Sequence, residues 1–211
     1  MKRAFDLTAA ALALVFLSPL FLLIALLLRA TSHGPVFYSG KRVGLRGRVF
    51  KMHKFRTMVV DAEQLGGSCT RADDPRITRS GHWLRKFKLD ELPQLLNVLL
   101  GEMSLVGPRP EVQQYVQLFT PGEFAILSVR PGITDWASIW DRDEAQTLAG
   151  RSDPERTYLE QIRPEKIRLQ LEYVRRRSFL IDLAILFETL KVLVLRQSIQ
   201  ETVQSSAPPE L

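Results

Sequence analysis

Two adjacent carboxylates, Asp90 and Glu91, open an apolar run within "KFKLDELPQLLNVLLGEMSLVGPRP", residues 86–110. Two readings fit them. Asp is a preferred N-cap, and acids near a helix N-terminus are stabilised by the dipole by ~0.3–1 kcal/mol each. The same position suits a nucleophile, because the dipole favours the ionised carboxylate and helix N-termini accept phosphate. A carboxylate can attack phosphorus and form an acyl phosphate. Repulsion between the two acids would be screened by a divalent metal or by the nearby cations Arg85, Lys86, Lys88 and Arg109. Arg109, held between two prolines, presents a planar fork to phosphate oxygens.

Other candidate groups are weaker. Asp141-Arg142-Asp143 has an Asp-x-Asp pattern that could hold a metal, but as a bare triplet. His33, His53 and His82 lack metal-ligand spacing, and Cys69 has no histidine near it in sequence. A single cysteine excludes an internal disulfide. Lys and Arg outnumber Asp and Glu by 29 to 23, which suggests a polyanionic partner: nucleic acid, anionic lipid or a phosphorylated substrate. The chain has no finger, homeodomain or RNA-motif signature, so Arg175-Arg176-Arg177 is read as meeting anionic lipid headgroups and no nucleic-acid partner is expected.

The elements that must position these residues begin with "LTAAALALVFLSPLFLLIALLL", residues 7–28, which carries no charge. At ~1.5 Å rise per residue it is long enough to cross a ~30 Å hydrocarbon core. Ser18-Pro19 at its centre predicts a bend. Basic residues flank it on both sides: Lys2 and Arg3 before, Arg29, Lys41 and Arg42 after. Positive flanks favour the cytoplasmic face. A re-entrant helix and a kinked spanning helix both remain open at this point. Residues 33–58 read as glycine turns with two or three short strands, rich in Lys41, Arg42, Arg46, Arg48, Lys51, Lys54 and Arg56. A short helix is predicted at "DAEQLGG", another after Thr78 or Ser80, and a third from Asp90 to Leu100, ended by Gly101, with Pro93 in its first turn. Residues 153–174 are predicted mostly helical. Residues 178–195 form an apolar helix, either buried or lying on a membrane, with the second favoured. The remainder is a polar tail.

These segments resemble those of the bacterial sugar transferases, the monotopic phosphoglycosyl transferases. The resemblance rests on "KRAFDLTAAALALVFLSPLFLL", "GPVFYSGKRVG", "FKMHKFRTM", "DPRITRSGHWLRKFKLDELPQLLNVLLGEMSLVGPRP" and "RPGIT", which run in family order over most of residues 2–140. It implies transfer of a phospho-sugar from a nucleotide (UDP) sugar to a polyprenol phosphate, with Mg²⁺ as cofactor. Asp90 matches the family nucleophile and a metal ligand. Glu91 matches the second acid of the dyad, which assists metal or proton handling. Arg109 matches a phosphate-binding arginine, Arg85 and Arg142 sit at matching spacings, and Lys54 and Arg56 are further phosphate contacts. Ser18-Pro19 matches the bend of a re-entrant helix, which puts the catalytic domain on the cytoplasmic face of the bacterial inner membrane. The expected architecture is a helix-rich mixed α/β core (31–198) on a re-entrant helix (1–30), with interfacial amphipathic helices and a polar tail (199–211); the chain looks like a minimal member. After "PGIT" it departs from the family's Gly-Trp-x-x-Val-x-Gly-Arg type of segment: here it reads "DWASIWDRDE". Two other classes compete: a metal-dependent glycosyltransferase that releases UDP, and a non-catalytic membrane scaffold.

Overall fold

The computed structural model describes residues 1–62, 64–67 and 69–195. The expected tail 199–211 lies outside the described residues. The first helix, α1 (Lys2–Thr31), runs 30 residues, about 45 Å, without a break in helical backbone. It passes through Ser18-Pro19, where the Ser18 hydroxyl donates to the carbonyl of Val15 at 2.8 Å. It is long and apolar enough to cross a membrane.

The body that follows is helix-rich and mixed α/β. Strands β1 (Phe37–Val43) and β2 (Val49–Phe55) form an antiparallel hairpin, with Gly40 opposite Met52. Arg46 and Gly47 at its tip both take positive φ. Helix α2 (Arg79–Lys86) starts as expected at Thr78, whose hydroxyl accepts from the Gly81 amide at 3.0 Å. Helix α3 (Gln94–Leu100) is stopped by Gly101 at φ 86. Strand β3 (Ser104–Val106), the short α4 (Gln113–Val116) and strand β4 (Gly132–Thr134) follow. The two strands pair in parallel, Ser104 with Gly132 and Val106 with Thr134. Next come α5 (Trp136–Trp140), α6 (Glu144–Thr147), α7 (Pro154–Thr157), α8 (Arg163–Arg176) and α9 (Phe179–Leu195). A π turn at Tyr158–Ile162 joins α7 to α8, so the expected helical stretch is continuous in space but not in type.

The helix expected at "DAEQLGG" is absent among the described residues. Asp61 takes a positive φ of 61°, and Arg76 draws the carbonyls of Ala62 and Gly67 to its guanidinium. The acidic dyad also differs from its cap reading. Leu89–Glu91 is a 3₁₀ turn, Lys88 before it is left-handed, and Pro93 precedes α3, so Asp90 caps nothing.

One face of α1 is packed on this body along its length. Ala10, Ala13, Leu14 and Leu17 meet Phe50, Met52, Leu95, Val98 and Met103; further on, Ile24 and Leu28 meet Phe55 and Leu84. The opposite face leaves Leu12, Val15, Phe16, Leu22, Leu23 and Leu26 exposed. Polar groups fix its start. Lys2 Nζ is 2.6 Å from Asp182 Oδ2 in α9, Arg3 donates to the Val98 carbonyl at 2.8 Å, and buried Asp6 accepts from the Ser104 hydroxyl at 2.7 Å. Helix α9 is divided likewise: Ile185 and Val192 are buried against Val106, Ile139 and Tyr173, while Leu180, Phe187 and Leu190 are bare.

Candidate active site

Two glycines explain how the site is assembled. A Cβ on Gly132 would lie 2.1 Å from the Gly107 nitrogen, and one on Gly107 would lie 2.4 Å from the Arg130 carbonyl oxygen. The "GPRP" and "RPG" turns therefore cross backbone to backbone, which only glycine permits. The crossing continues the β3–β4 pairing through Gly107 N to Thr134 O (3.1 Å) and Gly132 N to Pro108 O (3.0 Å), and it aims Arg109 at the acidic dyad.

Arg109 grips Glu91 with both guanidinium nitrogens, Nη1 lying 3.0 Å from Oε2 and Nη2 bonding Oε1. Lys54 from β2 donates to the same Oε1 at 2.8 Å. Burial raises the Glu91 carboxyl, but Arg109 and Lys54 outweigh it and hold the group well below the usual carboxylate range. Glu91 in turn raises the Arg109 guanidinium, and burial lowers the Lys54 ammonium. Glu91 is thus a fixed anion that organises two cations. Oε1 meets both cations and Oε2 meets Arg109 alone, so Oε2 keeps acceptor capacity for the metal or proton handling expected of Glu91.

Asp90 is the contrast. It is 5% exposed, makes no ion pair within the salt-bridge distance among the described residues, and its Oδ1 is sealed without a hydrogen-bond partner. Burial pushes its carboxyl up; the field of Lys54 opposes this, Glu91 adds to it, and Arg85 and Lys88 oppose it. A structural carboxylate in this setting would be paired. Gln94, one turn later, is fully buried with both amide atoms unpartnered, a second group that sequence reading passed over although the i, i+4 spacing was visible.

Of the other expected contacts, Arg85 donates Nε to the Thr57 hydroxyl at 2.9 Å while its charge acts on Asp90. Arg56 is engaged elsewhere: Nη2 bonds the Ser32 carbonyl (3.1 Å) and hydroxyl (2.8 Å), and Nη1 bonds the His33 carbonyl, tying the end of α1 to β2. Arg142 donates to the Val192 carbonyl of α9 at 2.6 Å. Neither guanidinium is turned to the dyad by these bonds. Asp141 bonds Glu144 rather than Asp143, and among the described residues no three His, Cys, Asp or Glu side chains are placed to hold a metal. Asp90 can still serve Mg²⁺, because that ion binds through one or two carboxylates with phosphate oxygens and water filling the remainder. A carboxylate held in no ion pair is a suitable oxygen donor for it.

A family model described as bacterial sugar transferase matches residues 1–196. The chain belongs to that family. This sugar transferase is 43% identical over 197 residues to the undecaprenyl-phosphate glucose phosphotransferase of Komagataeibacter xylinus, covering 90% of this chain and 35% of that protein. It is 38% identical over 202 residues to the uncharacterized sugar transferase EpsL of Bacillus subtilis, covering 96% of this chain and 91% of that one. It is 39% identical over 197 residues to the UDP-glucose:undecaprenyl-phosphate glucose-1-phosphate transferase of Escherichia coli, covering 90% and 39%. The sugar transferase therefore spans about a third of two of these relatives and nearly all of the third.

Proposed function

We propose that this sugar transferase moves a phospho-sugar from a UDP-sugar to undecaprenyl phosphate through a covalent Asp90 intermediate, beginning the assembly of a membrane-linked glycan. The observation that carries the reading is Asp90 itself: buried, unpaired and under the field of Lys54, Arg85 and Lys88, beside an anion already neutralised by Arg109. The printed activities of the K. xylinus and E. coli relatives, which name undecaprenyl phosphate as acceptor, support the substrate classes.

In the first step an Asp90 oxygen attacks the β-phosphorus of the donor. With Oδ1 sealed, the attacking atom is Oδ2. A new Oδ2–P bond forms, the P–O bond to the nucleotide's α-phosphate breaks, and UMP leaves with the electron pair. In the second step a phosphate oxygen of the polyprenol phosphate attacks the same phosphorus and the Asp90 carboxylate is released. The Arg109–Glu91–Lys54 unit carries one net positive charge, which would help neutralise the oxygens of the transferring phosphoryl group, a preorganised electrostatic role. Mg²⁺ would supply further neutralisation of the diphosphate, and Oδ2, the Asp90 oxygen that is not sealed, is the one that would hold it.

The sugar transferase would sit on the cytoplasmic face of the inner membrane as a monotopic protein. Support comes from α1: Lys2 and Arg3 at its start and Thr31 and Ser32 at its end all bond the same body, as expected of a helix with both ends on one side. The bare apolar faces of α1 and α9, beside exposed Arg175, Arg176 and Arg177, suit an anionic leaflet. Ser18-Pro19 would be the bend.

The test uses protein in nanodiscs with Mg²⁺, undecaprenyl phosphate and a panel of UDP-sugars, with the released nucleotide identified. UMP, lost in Asp90→Asn, is expected. UDP would sink the covalent reading and favour simple sugar transfer.

A further inference from the structure

Arg109 is held from behind as well as engaged in front. Its neighbours are Pro108 and Pro110, which have no N–H, so between Gly107 and Glu111 the Arg109 amide is the one backbone donor. That amide donates to Asp135 Oδ2 at 3.2 Å, and Gln170 Nε2 from α8 donates to the Arg109 carbonyl at 3.4 Å and to Asp135 Oδ2 at 3.3 Å. Asp135 is 0% exposed and Gln170 1%. The second Asp135 oxygen accepts the Ser138 amide at 2.6 Å and so caps α5. One carboxylate thus joins the arginine turn, α5 and α8.

We infer that Asp135 and Gln170 are positioning residues for phosphate binding, acting through the backbone of Arg109; this rests on the reading of Arg109 as a ligand of the donor diphosphate. A buried carboxylate is costly unless hydrogen-bonded, and the three donors on Asp135 tie the Arg109 backbone to α5 and α8. The Arg109 fork lies at the end of a long side chain, so a small shift of its backbone misplaces it against phosphate oxygens. Such misplacement is costly at a reacting centre. Asp135 opens "DWASIWDRDE", the segment where the sequence departs from the family pattern. The departure thus includes a support for the phosphate clamp.

A double-mutant cycle tests this. UDP binding to nanodisc-held protein is measured by calorimetry for wild type, Asp135→Asn, Arg109→Ala and the double variant. Both Asp135 oxygens face only N–H donors, so the Asn amide must set a donor against a donor. Asp135→Asn is expected to weaken UDP about five- to tenfold, the effect of one misplaced hydrogen-bonded group. In the Arg109→Ala background the same change is expected to shift affinity less than about twofold, because interacting residues do not add. Independent, multiplying effects, or unchanged UDP affinity in Asp135→Asn, overturn the inference. If Asp135→Asn does not fold, Gln170→Leu enters the same cycle with the same expectations. A wild-type protein that does not bind UDP would instead sink the reading of Arg109.

Discussion

Arg109 meets Glu91 with both prongs of its guanidinium, and the ammonium of Lys54 joins them on the same carboxylate. This three-membered charge unit, not Glu91 alone, is the partner of Asp90. Glu91→Gln leaves two half-buried cations facing a neutral amide. Breaking one side of a fully buried pair costs about 3–5 kcal/mol, and this partly exposed unit costs less. We expect a lowered melting temperature by tryptophan fluorescence and at least a tenfold loss in single-turnover UMP release. The sign with pH also follows. The folded carboxyl of Glu91 is depressed, so its contribution is present above the unfolded value of about 4.3 and is lost as pH falls through the lower folded value.

Asp141 gives the opposite sign. Burial, then Glu144, pushes its carboxyl up to about 8. Between about 3.9 and about 8 the folded state keeps a proton that the unfolded chain has already released. Its stabilising contribution is full below the unfolded value of about 3.9 and is lost as pH rises toward 8. Asp141→Asn should therefore flatten the fall of melting temperature between about pH 5 and 8, on the order of the shift that one buried group supplies. An unchanged slope would remove Asp141 as its source.

Gly107 and Gly132 are predicted to tolerate no side chain. Gly107→Ala or Gly132→Ala pushes a methyl group into backbone at 2.4 or 2.1 Å. Each should prevent accumulation of folded protein in membranes. Gly122, with nothing within 4 Å of a built Cβ and φ of −71°, is the control, and Gly122→Ala should express normally.

Arg56 and Lys54 lie two residues apart in sequence and should respond differently. Arg56→Lys removes bonds to Ser32 and should lower the melting temperature while leaving the UDP dissociation constant within about twofold. Lys54→Met should weaken UDP about tenfold or more, with a smaller effect on melting, since a charged hydrogen bond near phosphate is worth ~1.5–3 kcal/mol. Reversal of the two phenotypes would exchange their roles.

Much of this arrangement was legible in the sequence. The apolar run predicts α1, Thr78 predicts the start of α2, Gly101 predicts the end of α3, and the Asp90-Glu91 and "GPRP" segments mark the dyad and its arginine. The helix expected at "DAEQLGG" fails because local pattern cannot register Arg76 claiming the carbonyls that a helix would use. Treating neighbouring basic residues as equivalent fails for the same reason: "KFRTM" contains one cation at the dyad, Lys54, and one spent on the end of α1, Arg56. Asp135 and Gln170 carry no local signal, because they are 35 positions apart and meet only through the folded turn at Arg109.

The anchoring of α1 bears on how the protein is made. Lys2, Arg3 and Asp6 are synthesised well ahead of their partners, which arrive with residues 98–106 and, for Lys2, with Asp182. Until then a lysine, an arginine and an aspartate head an apolar helix without compensation, and water is the medium that can hold them. The growing chain therefore has reason to keep the start of α1 in water until those partners are made. Docking of α9 then closes the lysine contact, so the folding of Phe179–Leu195 onto the body and the fixing of the start of α1 are a single event.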